Sequence, residues 1–334
     1  MRTKRPARAG ITIIELLVVL SVMALLFSIV LPAMSGSERT SERVACMGTL
    51  REIAKGARMY AMLYDNWIIG APSGSGAYLQ GAVMAHGPAV QNWDFMGPMA
   101  YIWRMSLPMG SGDTGGVVKR FNALRGHPAF SCASNDFLSM KYSASSGPDA
   151  GSGPMVSYNT VRYQLWREEE APSNHNEKLP MNWRPSVGRI GNPANKVFCA
   201  DGSRYATVNQ VPDYDLEVNS PFGGAFSDAG AYSTNSRSWD RSRAPGNGHT
   251  GPIDARMYAF RHSISEPPVG APGNAYKLNL AFYDGHVETQ GDLDATNPHQ
   301  WLPIDTILET SGSHGCWPDT IDHFGLPPEL VIGP

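Results

Sequence analysis

Two groups of residues in this 334-residue chain have types and spacings that could do chemistry. The first is Glu15, the one charged residue in the 21-residue run from Ile11 to Leu31. A carboxylate near the start of an apolar helix costs roughly 2.5–3.5 kcal/mol on insertion scales. Such a group calls for a partner, and a second copy of the chain could supply one, because a paired buried charge is penalised far less than a lone one. The second group is His262, Asp284, Gly285 and His286. Imidazoles and a carboxylate are ligand types for zinc or iron. The plainer reading assigns Asp284 to a turn and His286 to the exposed start of a strand, with no metal.

The elements that must position these groups are legible in outline. Four basic residues, Arg2, Lys4, Arg5 and Arg8, precede Gly10 and the apolar run. About 20 apolar residues cross a bilayer, and a basic flank stays on the cytoplasmic side. The small residues Ala33 and Gly36 mark a weak secretory cut site after the run, and Gly10 offers another before it. From Ser37 to Tyr64, Val44, Met47, Leu50, Ile53, Ala57, Tyr60 and Tyr64 recur every three or four residues, the helical period. Glu38, Arg39, Glu42, Arg43, Arg51, Glu52, Lys55 and Arg58 fill the other face. One helix from Ile11 to Tyr64 would be about 80 Å long, with Pro32 and Gly36 kinking or loosening it midway. The apolar face is too short and mixed for a coiled coil.

The string Ala9-Gly10-Ile11-Thr12-Ile13-Ile14-Glu15-Leu16-Leu17-Val18-Val19-Leu20 resembles the signal of type IV prepilins and type II secretion pseudopilins. The resemblance implies that a prepilin peptidase cuts between Gly10 and Ile11 and methylates the new N-terminus. Glu15 would then be the fifth mature residue and would neutralise the N-terminus of a neighbouring subunit during assembly. Ile11 stands where the family more often has Phe, and Pro32 where many pilins carry a kinking proline. Residues 43–53 are similar to the helix after the signal in large pseudopilin-like proteins. Near the other end, His262 and the string Phe282-Tyr283-Asp284-Gly285-His286-Val287 resemble a processing-associated motif of the same group, a His followed at fixed distance by Asp-Gly. Here 21 residues separate His262 from Asp284, more than the motif's nine. The resemblance further implies self and other pilins or pseudopilins as partners, together with an inner-membrane assembly platform. It places a single-pass chain in the bacterial inner membrane, N-terminus in the cytoplasm and head in the periplasm or at the cell surface. Calcium is the one cofactor it raises, since some pseudopilins hold that ion in a C-terminal loop. Asp213, Asp215, Asp292 and Asp294 offer oxygen ligands, but none follows an EF-hand pattern, and solvated loop acids account for them.

Composition bounds the rest. A net charge of −3 and pI near 6.3 give no electrostatic case for nucleic acid. Thirty-five glycines, 26 prolines and 17% charged residues suit a loop-rich β domain better than a bundle. The four cysteines, Cys46, Cys132, Cys199 and Cys316, permit three full pairings. Cys132 with Cys199 is the pair expected if one forms, with free buried thiols as the alternative. No Cys-x-x-Cys motif is present, which disfavours a zinc ribbon. Short strands are expected over 155–163, 196–200, 257–262 and 277–283. Asp284-Gly285 joins alternating runs and predicts a type I′ hairpin turn, and a second Asp-Gly follows at 201–202. Residues 206–250 and 290–334 read as loops over the sheet or a C-terminal extension.

The expected fold is α+β: a long N-terminal helix, transmembrane then amphipathic, packed on a loop-rich antiparallel sheet in a pilin-like plan. It divides into a basic leader (1–10), a transmembrane or filament-core helix (11–35), an amphipathic helix (36–65) and an extracytoplasmic head (66–334). No nucleophile elbow, phosphate loop, HExxH or dinucleotide fingerprint occurs, so no enzyme motif stands behind the chain. Eight scattered tryptophans fit core or loop anchors better than a sugar-stacking surface. Two functions follow: a structural filament subunit, or an exported ligand-binding (carbohydrate included) or hydrolytic domain on a pilin-type anchor that forms no filament.

Overall fold

The structure is a computed structural model that describes residues 12–70, 95–106, 119, 122–135, 138–139, 153–154, 156–165, 167–168, 175–202, 226–227, 229–234, 258–263 and 273–334. Gly10, Ile11, Asp213 and Asp215 lie outside these residues. The first element is a 51-residue helix, α1 (Ile13–Leu63), about 77 Å long. Thr12 caps it: its hydroxyl accepts from Glu15 N, while the Glu15 carboxylate accepts from Thr12 N and Oγ1, both at 2.8 Å. This is a capping box, which satisfies helix-end donors reciprocally. Helix continues unbroken through Pro32 and Gly36. A proline forfeits one backbone bond, and the adjoining turns carry the helix past it. At the far end Asp65 (φ 48°) and Asn66 (φ 60°) turn left-handed and stop it.

The two halves of α1 differ in surroundings. All 19 residues from Ile13 to Leu31 are exposed. In the second half Cys46, Leu50, Ile53, Ala54, Ala57 and Tyr60 are buried. The apolar face is therefore shifted from its expected phase at its start, where Cys46 is inside and Val44 is 60% exposed. The face packs on a five-stranded sheet of order β6-β3-β5-β7-β8 and on α2 (Met96–Ile102). The strands are β3 (Tyr158–Val161), β5 (Val197–Asp201), β6 (Phe226–Ser227), β7 (Lys277–Phe282) and β8 (Val287–Gly291). Pairing is antiparallel except between β3 and β6. Two small antiparallel sheets complete the described strands: β1 (Leu138–Ser139) with β2 (Gly153–Pro154), and β10 (Glu329–Val331), β9 (Ile307–Glu309) and β4 (Glu177–Lys178). The α+β architecture and the long helix match the expectation.

The sheet is covered on both faces, and this was not legible as such. Strand β7 alternates as expected, but Leu278, Leu280 and Phe282 face away from α1, into a second core with Trp301, Leu302, Leu308, Leu330 and Ile332. Residues 290–334 are thus a packed layer rather than loops over the sheet. Trp301 is fully buried and donates from Nε1 to Ala295 O at 2.6 Å. It lies so close over Gly230 that a Cβ there would come within 2.3 Å of the indole. Gln164 bonds Val197 O and Trp301 O through its amide nitrogen and accepts from Tyr283. Lys196, buried, donates to the carbonyls of His299, Leu302 and Gly333. Burial pushes its ammonium down to about 8, against an opposing pull from Asp305.

His299 adds a pH-sensitive stitch to this layer. Its Nδ1 accepts from Gly333 N at 2.9 Å, which requires an unprotonated nitrogen. Burial first, and the Lys196 charge second, hold its pKa below 6.5. The unfolded chain then binds more protons just below pH 6.5, so the His299 contribution is complete above that value and is lost as pH falls through the folded pKa. Denaturant melts at pH 7.5 and pH 5 are expected to show a larger acid loss for wild type than for His299→Gln. Equal losses would remove His299 as the cause.

The expected strand at 257–262 is reduced to single bridges at Tyr258 and Arg261. Asp201-Gly202 is no turn: Asp201 ends β5 and Gly202 bridges Tyr258. The β7–β8 turn also differs from type I′. Only Gly285 has positive φ (94°), Gly285 N donates to Phe282 O, and Phe282 N donates to His286 O. This is a three-residue loop with glycine at the left-handed position.

Candidate functional site

Two places bear on function. The first is the bare half of α1. Its apolar residues circle the whole helix, with no polar stripe to face water, as in a helix made for lipid or for burial among other helices. One N-terminal helix is thus long and apolar enough to cross a membrane. The single acid, Glu15, has its hydrogen bonds met locally by Thr12. Thr12-x-x-Glu15 is the sequence signature of that cap, overlooked beside the membrane signal. A cap also suits an acid near the positive end of the helix dipole. Its charge still lacks a countercharge among the described residues.

The second place lies under the amphipathic half of α1. Cys46 and Cys132 form a disulfide with Cα atoms 5.0 Å apart, spanning 86 residues. This corrects the expected Cys132–Cys199 pair. Cys199 is a free thiol in the middle of β5, and Cys316 is also free and buried. Burial, then the Asp201 carboxylate, raises the Cys199 thiol well above its usual range, and burial with Glu177 pushes Cys316 up to about 12. Both are inert as nucleophiles. The missed signal was the phase of α1: Cys46 stands four and seven residues before Leu50 and Ile53, on the buried stripe.

Against the disulfide sits His262. Its Nε2 lies 3.6 Å from Cys132 Sγ and 3.0 Å from Asp201 Oδ2, with the His262 and Asp201 side chains fully buried. Asp201 Oδ2 also accepts from Asn279 N at 2.6 Å. Tyr158, whose hydroxyl approaches Cys46 O at 3.4 Å, closes the group. Burial and the nearby Asp201 raise the Tyr158 phenol far above its ordinary value. Sulfur and carboxylate meet the same ring nitrogen, so this is not a nucleophile–base–orienter relay, which uses both nitrogens.

His262 therefore does not meet Asp284 and His286. It is fixed at the start of β7, through His262 N to Lys277 O, and Asp284 follows the other end. The six residues of β7 and Tyr283 after it separate them by about 23 Å. Asp284 and His286 form their own exposed pair, Oδ1 to Nδ1 at 2.6 Å, in the hairpin loop. Burial raises the Asp284 pKa, but bonds from the His286 backbone and ring, with Arg58 nearby, outweigh it and hold the carboxyl below its usual range. Arg58 of α1 donates to Asp284 O, so the Asp-Gly loop ties the hairpin to the helix. The three ligand side chains of this motif cannot converge on one ion.

Of the calcium candidates, Asp292 is buried rather than solvated, while Asp294 is exposed and 3.3 Å from His323. The described tryptophans serve packing. Trp183 and Trp301 are buried, Trp103 stacks on Phe130, Trp317 borders the second core, and Trp67 lies beneath Arg167 and Arg184. Trp93, Trp166 and Trp239 lie outside the described residues. No family model, curated protein or solved structure matches this chain.

Proposed function

We propose that the chain is a prepilin-like structural subunit of a type II secretion pseudopilus or type IV pilus-like filament. A prepilin peptidase cuts between Gly10 and Ile11, and the subunit assembles through α1 with copies of itself or other pilins on an inner-membrane platform. The observation that carries this reading is the division of one helix. One face of its second half is buried in the head, and its first 19 described helical residues, Ile13 to Leu31, are bare on every side. A helix whose apolar surface is exposed all round needs lipid before assembly and neighbouring helices after it. The N-terminus lies in the cytoplasm, the head beyond the inner membrane, and the whole has the lollipop plan of pilins.

Glu15 belongs at the seam between copies. The capping box meets its hydrogen bonds but leaves one negative charge. The freed amine at Ile11 of a neighbour supplies the opposite charge in a low-dielectric setting, where pairing matters most. The test is cross-linking in native membranes of full-length chains carrying Leu17→Cys and Leu25→Cys together, so that each chain can bond two neighbours. Ladders of cross-linked copies are the expected result. Single copies alone, at expression levels where the protein is abundant, would count against assembly.

A further inference from the structure

The cluster under α1 has a use that the filament reading does not draw on. We propose that, when the Cys46–Cys132 disulfide is open, the chain binds one zinc ion through Cys46, Cys132 and His262, so that the disulfide and the zinc site are alternative states of the same sulfurs. The Sγ atoms of both cysteines and a ring nitrogen of His262 all lie within 4.8 Å of one another, and all three residues are buried.

Ligand spacing supports zinc specifically. Zinc takes four tetrahedral ligands, with Zn–S about 2.3 Å and Zn–N about 2.0–2.1 Å. Those lengths place a sulfur and a nitrogen ligand about 3.6 Å apart, and two sulfurs about 3.8 Å apart. His262 Nε2 is already 3.6 Å from Cys132 Sγ. The two sulfurs must separate, and breaking their bond permits that. Asp201, whose Oδ2 is 3.0 Å from Nε2, is the carboxylate available to the fourth position. That carboxylate either fills the position or holds a water in it. Two thiolates and an imidazole form a ligand set that zinc prefers over calcium or magnesium. Three elements contribute, Cys46 from α1, Cys132 from the loop after Phe130, and His262 beside β7, so the ion would tie helix to head as the disulfide does. A newly made chain carries thiols before any disulfide forms, so the reduced state needs no special origin.

The chemistry balances. A phosphine gives two electrons to the disulfide, water supplies the oxygen of the phosphine oxide, and its two protons go to the two thiols. Zinc then displaces those protons, forming two Zn–S bonds. It also takes the Nε2 lone pair of His262, so the proton that Nε2 shares with Asp201 leaves that nitrogen and the ring binds as the neutral tautomer with its proton on Nδ1.

The experiment uses full-length protein in detergent, reduced with a phosphine under argon, and titrated with zinc against a chromophoric chelator and with cobalt as a spectroscopic stand-in. One zinc per reduced chain and a cobalt–thiolate charge-transfer band are expected, with neither in oxidised protein. Cys46→Ser, Cys132→Ser and His262→Ala each abolish the stoichiometric site, while Cys199→Ser keeps it. Asp201→Asn weakens it about 10–100-fold, the usual effect of losing a supporting carboxylate. Zinc is also expected to raise the melting temperature of reduced wild type but not of oxidised protein, which separates binding from a folding defect in the variants. Reduced wild type without stoichiometric zinc, or zinc uptake that persists in the double cysteine variant, overturns the proposal.

Discussion

Replacing Cys46 and Cys132 together with serine, in metal-free buffer, is expected to lower the stability of the head by about 4–5 kcal/mol. The disulfide closes an 86-residue separation, and the chain-entropy relation gives about that value for so long a loop. The effect is local as well as entropic. Cys46 sits on the buried stripe of α1, and Cys132 donates its backbone N–H to Ser157 Oγ at 2.9 Å. Losing the link frees the helix from the sheet near Tyr158. Cys199→Ala, a buried thiol outside the bond, removes only one sulfur's packing and is expected to cost about 1 kcal/mol. Denaturant melts of the three proteins decide the matter. A double variant within 1 kcal/mol of wild type would mean that packing alone fixes α1 to the head.

Glu15→Ala is expected to leave membrane insertion intact and to abolish the cross-linked ladders formed through Leu17→Cys and Leu25→Cys together. Removing an acid from an apolar helix favours insertion by roughly 2.5–3.5 kcal/mol, so a failure to insert cannot explain lost assembly. The variant also loses one arm of the capping box, worth about 1 kcal/mol. Glu15→Gln separates the two contributions: glutamine at this position still completes a capping box, yet carries no charge. If charge pairing drives assembly, Gln behaves like Ala. If the cap is what matters, Gln behaves like wild type. Undiminished ladders in Glu15→Ala would refute a role for the acid between copies.

The parts of the fold that could be read from the sequence are those fixed by local pattern. The apolar run, the helical period from Leu50 to Tyr60 and the Asp-Gly hairpin each depend on neighbours a few residues away. What escaped reading depends on distant partners. Leu278, Leu280 and Phe282 alternate as any half-buried strand does, and nothing in that pattern tells which layer they face. Trp301 reads as a lone aromatic until Gly230 and Tyr258 are placed against it. Cys46 could pair with any of three cysteines, and only the phase of α1 singles out the side on which its partner lies. His262 matched a family motif through Asp284, yet its carboxylate partner is Asp201, 61 residues earlier in the chain. A six-residue strand keeps His262 and Asp284 at opposite ends, a separation invisible without the fold. The turn type was misjudged for a related reason: Asp284 is bent by its own bonds to His286 and does not take positive φ.

The most direct test of the filament reading is the mass of the mature N-terminus from native membranes. The account predicts a chain beginning at Ile11 and carrying one added methyl group. An intact Met1, or a chain cut after Ala33, would contradict it.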